Sequence, residues 1–137
     1  IPGLEQAEIL RYGVMHRNTY LESPKILNAG YQSKTYPNLF FAGQISGVEG
    51  YVESAASGLN AAIQMTLWIK EHTIKPLPQE TMMGAMAYYI SQENKSFVPM
   101  NANWGLMPAL PFKHKKKSRK AHYAERALEA LKTYMEA

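Results

Sequence analysis

The sequence contains no cysteine. That rules out a disulfide framework, a thiolate metal site and a cysteine nucleophile on this chain, and it fits a cytoplasmic protein. No apolar run approaches the roughly 18 residues that a membrane-spanning helix requires. The four histidines stand at 16, 72, 114 and 122, without ligand spacing, so no metal site is expected. Neither Gly-x-Gly-x-x-Gly nor the Gly-Lys-Ser/Thr of a Walker loop occurs, so the chain carries neither the dinucleotide fingerprint of a first βα unit nor a Walker loop. Ile1 rather than Met opens the chain, and the expectation is a piece of a longer protein.

Of the 137 residues, 46% are apolar, enough to build a core. The net charge of +4 is unevenly placed. Lys113, Lys115, Lys116, Lys117, Arg119 and Lys120 fall within eight residues that hold no acid, and the remainder of the chain is net negative. A polyanion contact, if the protein makes one, belongs to this run; the same pattern also suits a solvated helix entrance.

Periodicity predicts three helices. The strongest signal covers about 50–72, where Val52, Ala55, Leu59, Ala62 or Ile63, and Thr66 or Leu67 recur at helical spacing. Its first half is rich in Gly, Ala and Ser. Gly58 costs roughly 1 kcal/mol against Ala in a helix, so close packing on another backbone is expected there. A second helix is predicted over 79–91 with Met82, Met83, Met86, Tyr89 and Ile90 as its apolar side, those methionines serving as core or domain contact. A third is predicted over about 118–136, with Ala124, Ala127 or Leu128, Leu131, and Tyr134 or Met135 on one stripe.

Between them, 14–21 has strand-like content and Asn28-Ala29-Gly30 reads as a turn. Leu39-Phe40-Phe41-Ala42 reads as a short strand buried on both faces, as in a parallel sheet. The stretch from 97 to 112 carries three prolines and reads as an extended packed loop in which Asn101, Asn103 and Trp104 either line a pocket or are buried and hydrogen-bonded. The expected fold class is an α/β fragment, helix-dominated, with a few short strands.

The informative stretch is 39–51. A buried strand, a glycine loop and a helix N-terminus make an anion-receptive corner, because the first-turn N–H groups are free and the macrodipole adds about half a positive charge. Gly43, Gly47 and Gly50 allow positive φ or close approach of a ligand. On these grounds alone, a structural turn and a ligand loop are equally good readings.

Asn38-Leu39-Phe40-Phe41-Ala42-Gly43-Gln44, followed by Gly47-Val48-Glu49-Gly50-Tyr51-Val52-Glu53-Ser54-Ala55-Ala56-Ser57-Gly58, resembles the last FAD-binding segment of the folate- and flavin-dependent tRNA (uracil-5-)-methyltransferases (TrmFO, also called Gid). The related wobble-uridine enzymes (MnmG/GidA) share the Ala-Gly-Gln…Gly…Gly-Tyr pattern. Three more segments favour the methyltransferase branch: Ile1-Pro2-Gly3-Leu4-Glu5, the stretch from Arg11 to Tyr20, and Pro99-Met100-Asn101-Ala102-Asn103-Trp104-Gly105-Leu106.

The resemblance implies the C-terminal part of a Rossmann-like FAD-binding fold. Residues 1–38 would end an inserted or substrate-side region, 39–75 would be the last strand-loop-helix of the FAD domain, and 76–137 a C-terminal helical segment with the basic cluster. It further implies FAD, methylenetetrahydrofolate and NAD(P)H as cofactors of the intact enzyme, and a T-loop uridine of tRNA as substrate. Backbone contacts to the flavin would come from Gly43, Val48, Glu49, Gly50 and Tyr51, with Gln44 beside the ring. His16, Arg17 and Asn18 would lie near folate or substrate, an arginine being suited to a folate carboxylate; an ordinary strand is the other reading. The basic cluster would meet tRNA phosphates, with His114, His122 and Tyr123 near enough to stack on bases.

The family's catalytic cysteines and its N-terminal dinucleotide fingerprint are absent here. This piece alone is therefore expected to be inactive, with apolar edges that self-association, as a homo-oligomer, would cover. The alternatives are a fragment of the wobble-uridine enzyme and a non-enzymatic basic RNA-binding module.

Overall fold

The computed structural model describes residues 2–10, 13, 18–113 and 115–136. Among the described residues there are four α-helices: α1 (Ser23–Ile26), α2 (Tyr51–Glu71), α3 (Met82–Ser91) and α4 (Arg119–Glu136). Two 3-10 turns, Gln44–Ser46 and Trp104–Leu106, complete the regular structure. The three long helices lie where periodicity predicts them, within three residues at every boundary.

Among the described residues the expected short strands do not form. Among the described residues there are three isolated bridges: Leu27 with Ser33 and Gln32 with Phe40, both antiparallel, and Val48 with Met100, parallel. Residues 39–42 are not a strand buried on both faces. They lie against the 28–33 turn, where Ser33 N donates to Leu39 O (2.8 Å) and Phe41 N to Tyr31 O (2.9 Å), and Leu39 stays exposed. The segment is held between Pro37 and the positive-φ Gly43, too short to recruit further partners. Of the strand-like 14–21, residues 14–17 lie outside the described residues and 18–21 have no regular structure.

Asn28 organises the turn below this segment. Its Oδ1 accepts from Gly30 N and Gln32 N, and its Nδ2 donates to Gln32 Oε1 (2.8 Å). An Asn side chain satisfying nearby main-chain donors in this way is what stabilises a tight turn.

One core joins Leu27, Tyr31, Val48, Ala61, Met86, Ala87, Ile90 and Phe97, and so draws on the whole length from α1 to the 97–112 stretch. Thr81 caps α3 by accepting from Gly84 N (2.9 Å). Gly84 faces the main chain at Pro78 so closely that a β-carbon would collide with its carbonyl. A smaller cluster of Ala85, Met107 and Tyr123 seats α4, helped by Arg126, which donates to Pro108 O (2.7 Å) and Ala109 O (3.0 Å). On α4 the inner face runs through Tyr123, Ala127, Leu131 and Tyr134, while Leu128 and Met135 are exposed.

Helix α2 departs most from expectation. Its buried side is Ser57, Asn60, Ala61 and Gln64, whereas the apolar stripe faces outward, with Val52 79% and Leu59 58% exposed. On this inward side Ser57 and Gln64 find partners, whereas Asn60 Nδ2 is buried with no hydrogen-bond partner among the described residues. Ser57 Oγ accepts from Gly43 N (2.7 Å), and the Gln64 amide pairs with the main chain of Lys75. A β-carbon on Gly58 would meet nothing within 4 Å among the described residues, so the expected close backbone packing is not made there.

Candidate functional site: the glycine loop and its strap

The loop 43–50 is built on three glycines with φ of +73° (Gly43), +88° (Gly47) and +112° (Gly50). Side chains rarely adopt such angles. Gly43 begins the turn Gln44–Ser46, whose Ser46 N and Oγ both donate to Gly43 O. From below, Leu21 N donates to Ile45 O (2.9 Å) and the buried Ser23 Oγ to Ser46 O (2.8 Å). Gly50 then ends the loop as the N-cap of α2, where a glycine supplies no capping side chain of its own. Such an end presents first-turn N–H donors with the positive pole of the helix behind them.

A concavity of about 180 Å³ opens at this end, lined by Gln44, Gly50, Tyr51 and Ser54. Three of the residues singled out in the sequence therefore meet here. Ser54 was not among them; its place four residues after Gly50, on the first turn of a helix beginning there, was the available signal. Tyr51 is 98% exposed. Gly43 lies behind the concavity, with its N–H given to Ser57.

Val48 and Glu49 stand differently. Val48 is buried in the core. Its neighbours make a parallel bridge with the segment 97–103: Glu49 N donates to Met100 O (3.0 Å) and Met100 N to Gly47 O (3.1 Å). The Glu49 N–H is thus engaged by the Met100 carbonyl. Across a parallel bridge the flanking residues make the bonds, so Val48's own N–H points to the other side.

The segment 97–103 is a strap along the loop. Asn101 Nδ2 donates to Glu49 O (2.8 Å), and Ala102 N donates to Glu53 Oε1 (3.0 Å). Phe97 lies on the backbone of Gly47, where a β-carbon would collide with its ring, and is flanked by the Tyr20 and Tyr89 rings at 6.1 and 5.6 Å. Asn101 and Asn103 are exposed and hydrogen-bonded rather than buried or lining a cavity. Asn103 caps the turn Trp104–Leu106, and Trp104 packs 5.2 Å from Tyr123. The strap's position over the loop, across some fifty residues of sequence, is what sequence reasoning missed.

Beside the strap an apolar cavity of about 330 Å³ separates α2 from α3, with Met82, Met83 and Met86 on one wall and Val52 and Ala56 on the other. Met86 is core, in keeping with the expectation for the methionine stripe.

The geometry of the loop coincides with a family match. The family model "Glucose inhibited division protein A" (GIDA) matches residues 1–73, more than half of the chain, ending just past α2. The chain belongs to the GIDA family. Among curated relatives, the methylenetetrahydrofolate–tRNA-(uracil-5-)-methyltransferase TrmFO of Acholeplasma laidlawii is 60% identical over 99% of this chain. The proteins of the same name from Bacillus pumilus and Bacillus subtilis are 57% and 56% identical over 97% of it. The chain spans 31% of the length of each of these relatives. Similarity to TrmFO thus extends through the strap and α4, beyond the stretch covered by the GIDA match.

Other sequence candidates are scattered. His16 and Arg17 lie outside the described residues, and Asn18 is exposed three residues before the Leu21 contact to the loop. Lys113, Lys115, Lys116, Lys117, Arg119 and Lys120 are all exposed at the start of α4. The three ion pairs among the described residues, Lys25–Glu22, His122–Glu125 and Lys132–Glu136, use none of the six. Tyr123 is buried against Trp104 and Arg126 and is not available to stack on a base. His122 packs edge-on to Phe112, and His114 lies outside the described residues. No metal-ligating cluster and no helix long and apolar enough to cross a membrane occurs among the described residues.

Proposed function

We propose that this chain is the flavin-ring side of a divided FAD site in a methylenetetrahydrofolate- and FAD-dependent tRNA (uracil-5-)-methyltransferase that makes 5-methyluridine in the T-loop. The observation that carries it is the N-terminus of α2, begun by a glycine and opening on the concavity at Gln44, Gly50, Tyr51 and Ser54, in a chain 56–60% identical to TrmFO relatives. The positive φ of Gly43, Gly47 and Gly50 shapes the loop that brings Gln44 and Tyr51 to this end.

When bound, FAD supplies the redox and one-carbon-carrying chemistry, with NAD(P)H as the source of electrons. This chain's part is electrostatic and positional. The N–H groups of Val48, Gly50 and Tyr51, backed by the α2 dipole, would stabilise negative charge on the pyrimidine edge of the ring, and Gln44 would lie beside it. His16, Arg17 and Asn18 would hold folate or substrate carboxylates. No cysteine is available for catalysis, so the catalytic residues belong to the portion that completes the enzyme in the cytoplasm.

The basic run would hold tRNA phosphates. The first turn of α4 carries no acid, so Lys117, Arg119 and Lys120 sit where the helix is already positive. A polyanion would relieve that repulsion.

Reconstitution tests the reading. This chain, joined to or co-expressed with the N-terminal portion of a TrmFO relative, should purify yellow and restore T-loop 5-methyluridine to tRNA from a deletion strain. A colourless product sinks the flavin assignment. The GIDA match over 1–73 favours one second reading, the wobble-uridine enzyme, and restoration of a wobble modification instead would establish it.

A further inference from the structure

The strap 97–103 lies outside the GIDA match yet holds the loop inside it, by contacts the proposed FAD site does not itself require. Two of them converge on the end of α2. Asn101 Nδ2 fixes the Glu49 carbonyl, one residue before the N-cap, and Ala102 N–H takes Glu53 Oε1. The Glu53 carboxylate, on the first turn, folds back over Gly50, where a β-carbon would strike it. It thus places a negative charge on the same helix end whose positive pole faces the concavity.

Such a carboxylate stabilises the helix and at the same time reduces the attraction of that end for a second anion. Drawn to the strap by Ala102, it is held at a set place rather than free to swing across the opening. Phe97, wedged between Tyr20 and Tyr89 on the backbone of Gly47, secures the strap at its other end.

We propose that Glu53 and Asn101 are positioning residues of the cofactor corner: the strap sets the aim of the α2 N-terminus through Asn101, and Glu53 sets the positive potential it presents. This rests on the FAD reading above. Its consequence is that the strap tunes how strongly the site prefers a reduced, negatively charged flavin to an oxidised, neutral one.

The test uses full-length enzyme carrying this chain, with Glu53→Gln and Asn101→Asp. Glu53→Gln keeps an oxygen for the Ala102 N–H and removes only charge. The midpoint potential of bound flavin, measured against reference dyes, should rise with about a tenfold gain in preference for the reduced form, or about 30 mV for a two-electron couple. Asn101→Asp replaces the donor with a carboxylate facing the Glu49 carbonyl. It should lower the potential and weaken FAD retention, while thermal stability without flavin stays close to that of the parent. Yellow, folded variants with the parent's potential overturn the inference while leaving the FAD reading intact. A colourless parent instead removes that reading. Variants that lose their fold make the strap contacts merely structural, and overturn the inference as well.

Discussion

Gln64 and Lys75 pair amide to amide: Gln64 Nε2 donates to Lys75 O and Lys75 N donates to Gln64 Oε1, both at 2.8 Å. Gln64 is fully buried. The chain leaving α2 is thereby tied back onto that helix. The tie extends to α4, since Tyr134 Oη donates to Lys75 O (2.6 Å) and Lys75 Nζ to Tyr134 O (2.9 Å). Gln64→Leu should orphan the Lys75 N–H and lower stability by about 1–3 kcal/mol. Thermal melts by circular dichroism, with weaker hydrogen-exchange protection at Lys75, would register it; an unchanged melt would show the pair to be incidental.

Two helical glycines should respond oppositely to alanine. Gly84→Ala drives a methyl into the Pro78 carbonyl and should destabilise by roughly 1–3 kcal/mol. Gly58→Ala meets nothing among the described residues and should stabilise the chain by about 1 kcal/mol through helix propensity. Paired denaturant titrations measure both, and equal responses would contradict the packing described.

The outward stripe of α2 should make the isolated chain self-associate. Val52, Leu59 and Ile63 are exposed along one face, an apolar surface of the kind that monomers avoid. Light scattering should show mass rising with concentration, and Leu59→Glu with Ile63→Glu should return it towards the monomer. A parent that stays monomeric at all concentrations refutes this.

Charge removal at the α4 entrance should weaken tRNA binding in a salt-dependent way. Replacing Lys115, Lys116 and Lys117 with Ala in the full-length enzyme should reduce the slope of log affinity against log salt by roughly 0.7–0.9 for each phosphate left without its lysine. An identical slope would mean the run is only solvated.

Tyr31 gives a pH dependence. Burial raises its hydroxyl well above the ordinary 10.0. Above pH 10 the unfolded chain releases this proton while the folded chain keeps it, so stability should fall as pH rises from about 10 upward. Tyr31→Phe should flatten that decline, as followed by melting temperature between pH 9 and 11.

Much of the site was legible as residue types in order. Glycines at 43, 47 and 50 before a small-residue helix announced positive φ, because only local backbone sterics are involved. The Glu49 N–H could not be assigned, since its acceptor is Met100. Nor could the inward face of α2: periodicity marks which side is apolar, not what stands opposite it.

The sequence by itself determined the three long helices, the Asn28 turn, the glycine loop and the exposed basic run, features set by neighbours within a few residues. Tertiary structure alone decided that 39–42 is no strand, that Ser57 and Gln64 turn inward, and that the strap lies on the glycine loop. Each depends on where distant donors and acceptors come to rest. A buried polar group goes wherever its hydrogen bonds can be met, and that partner is chosen by the whole fold.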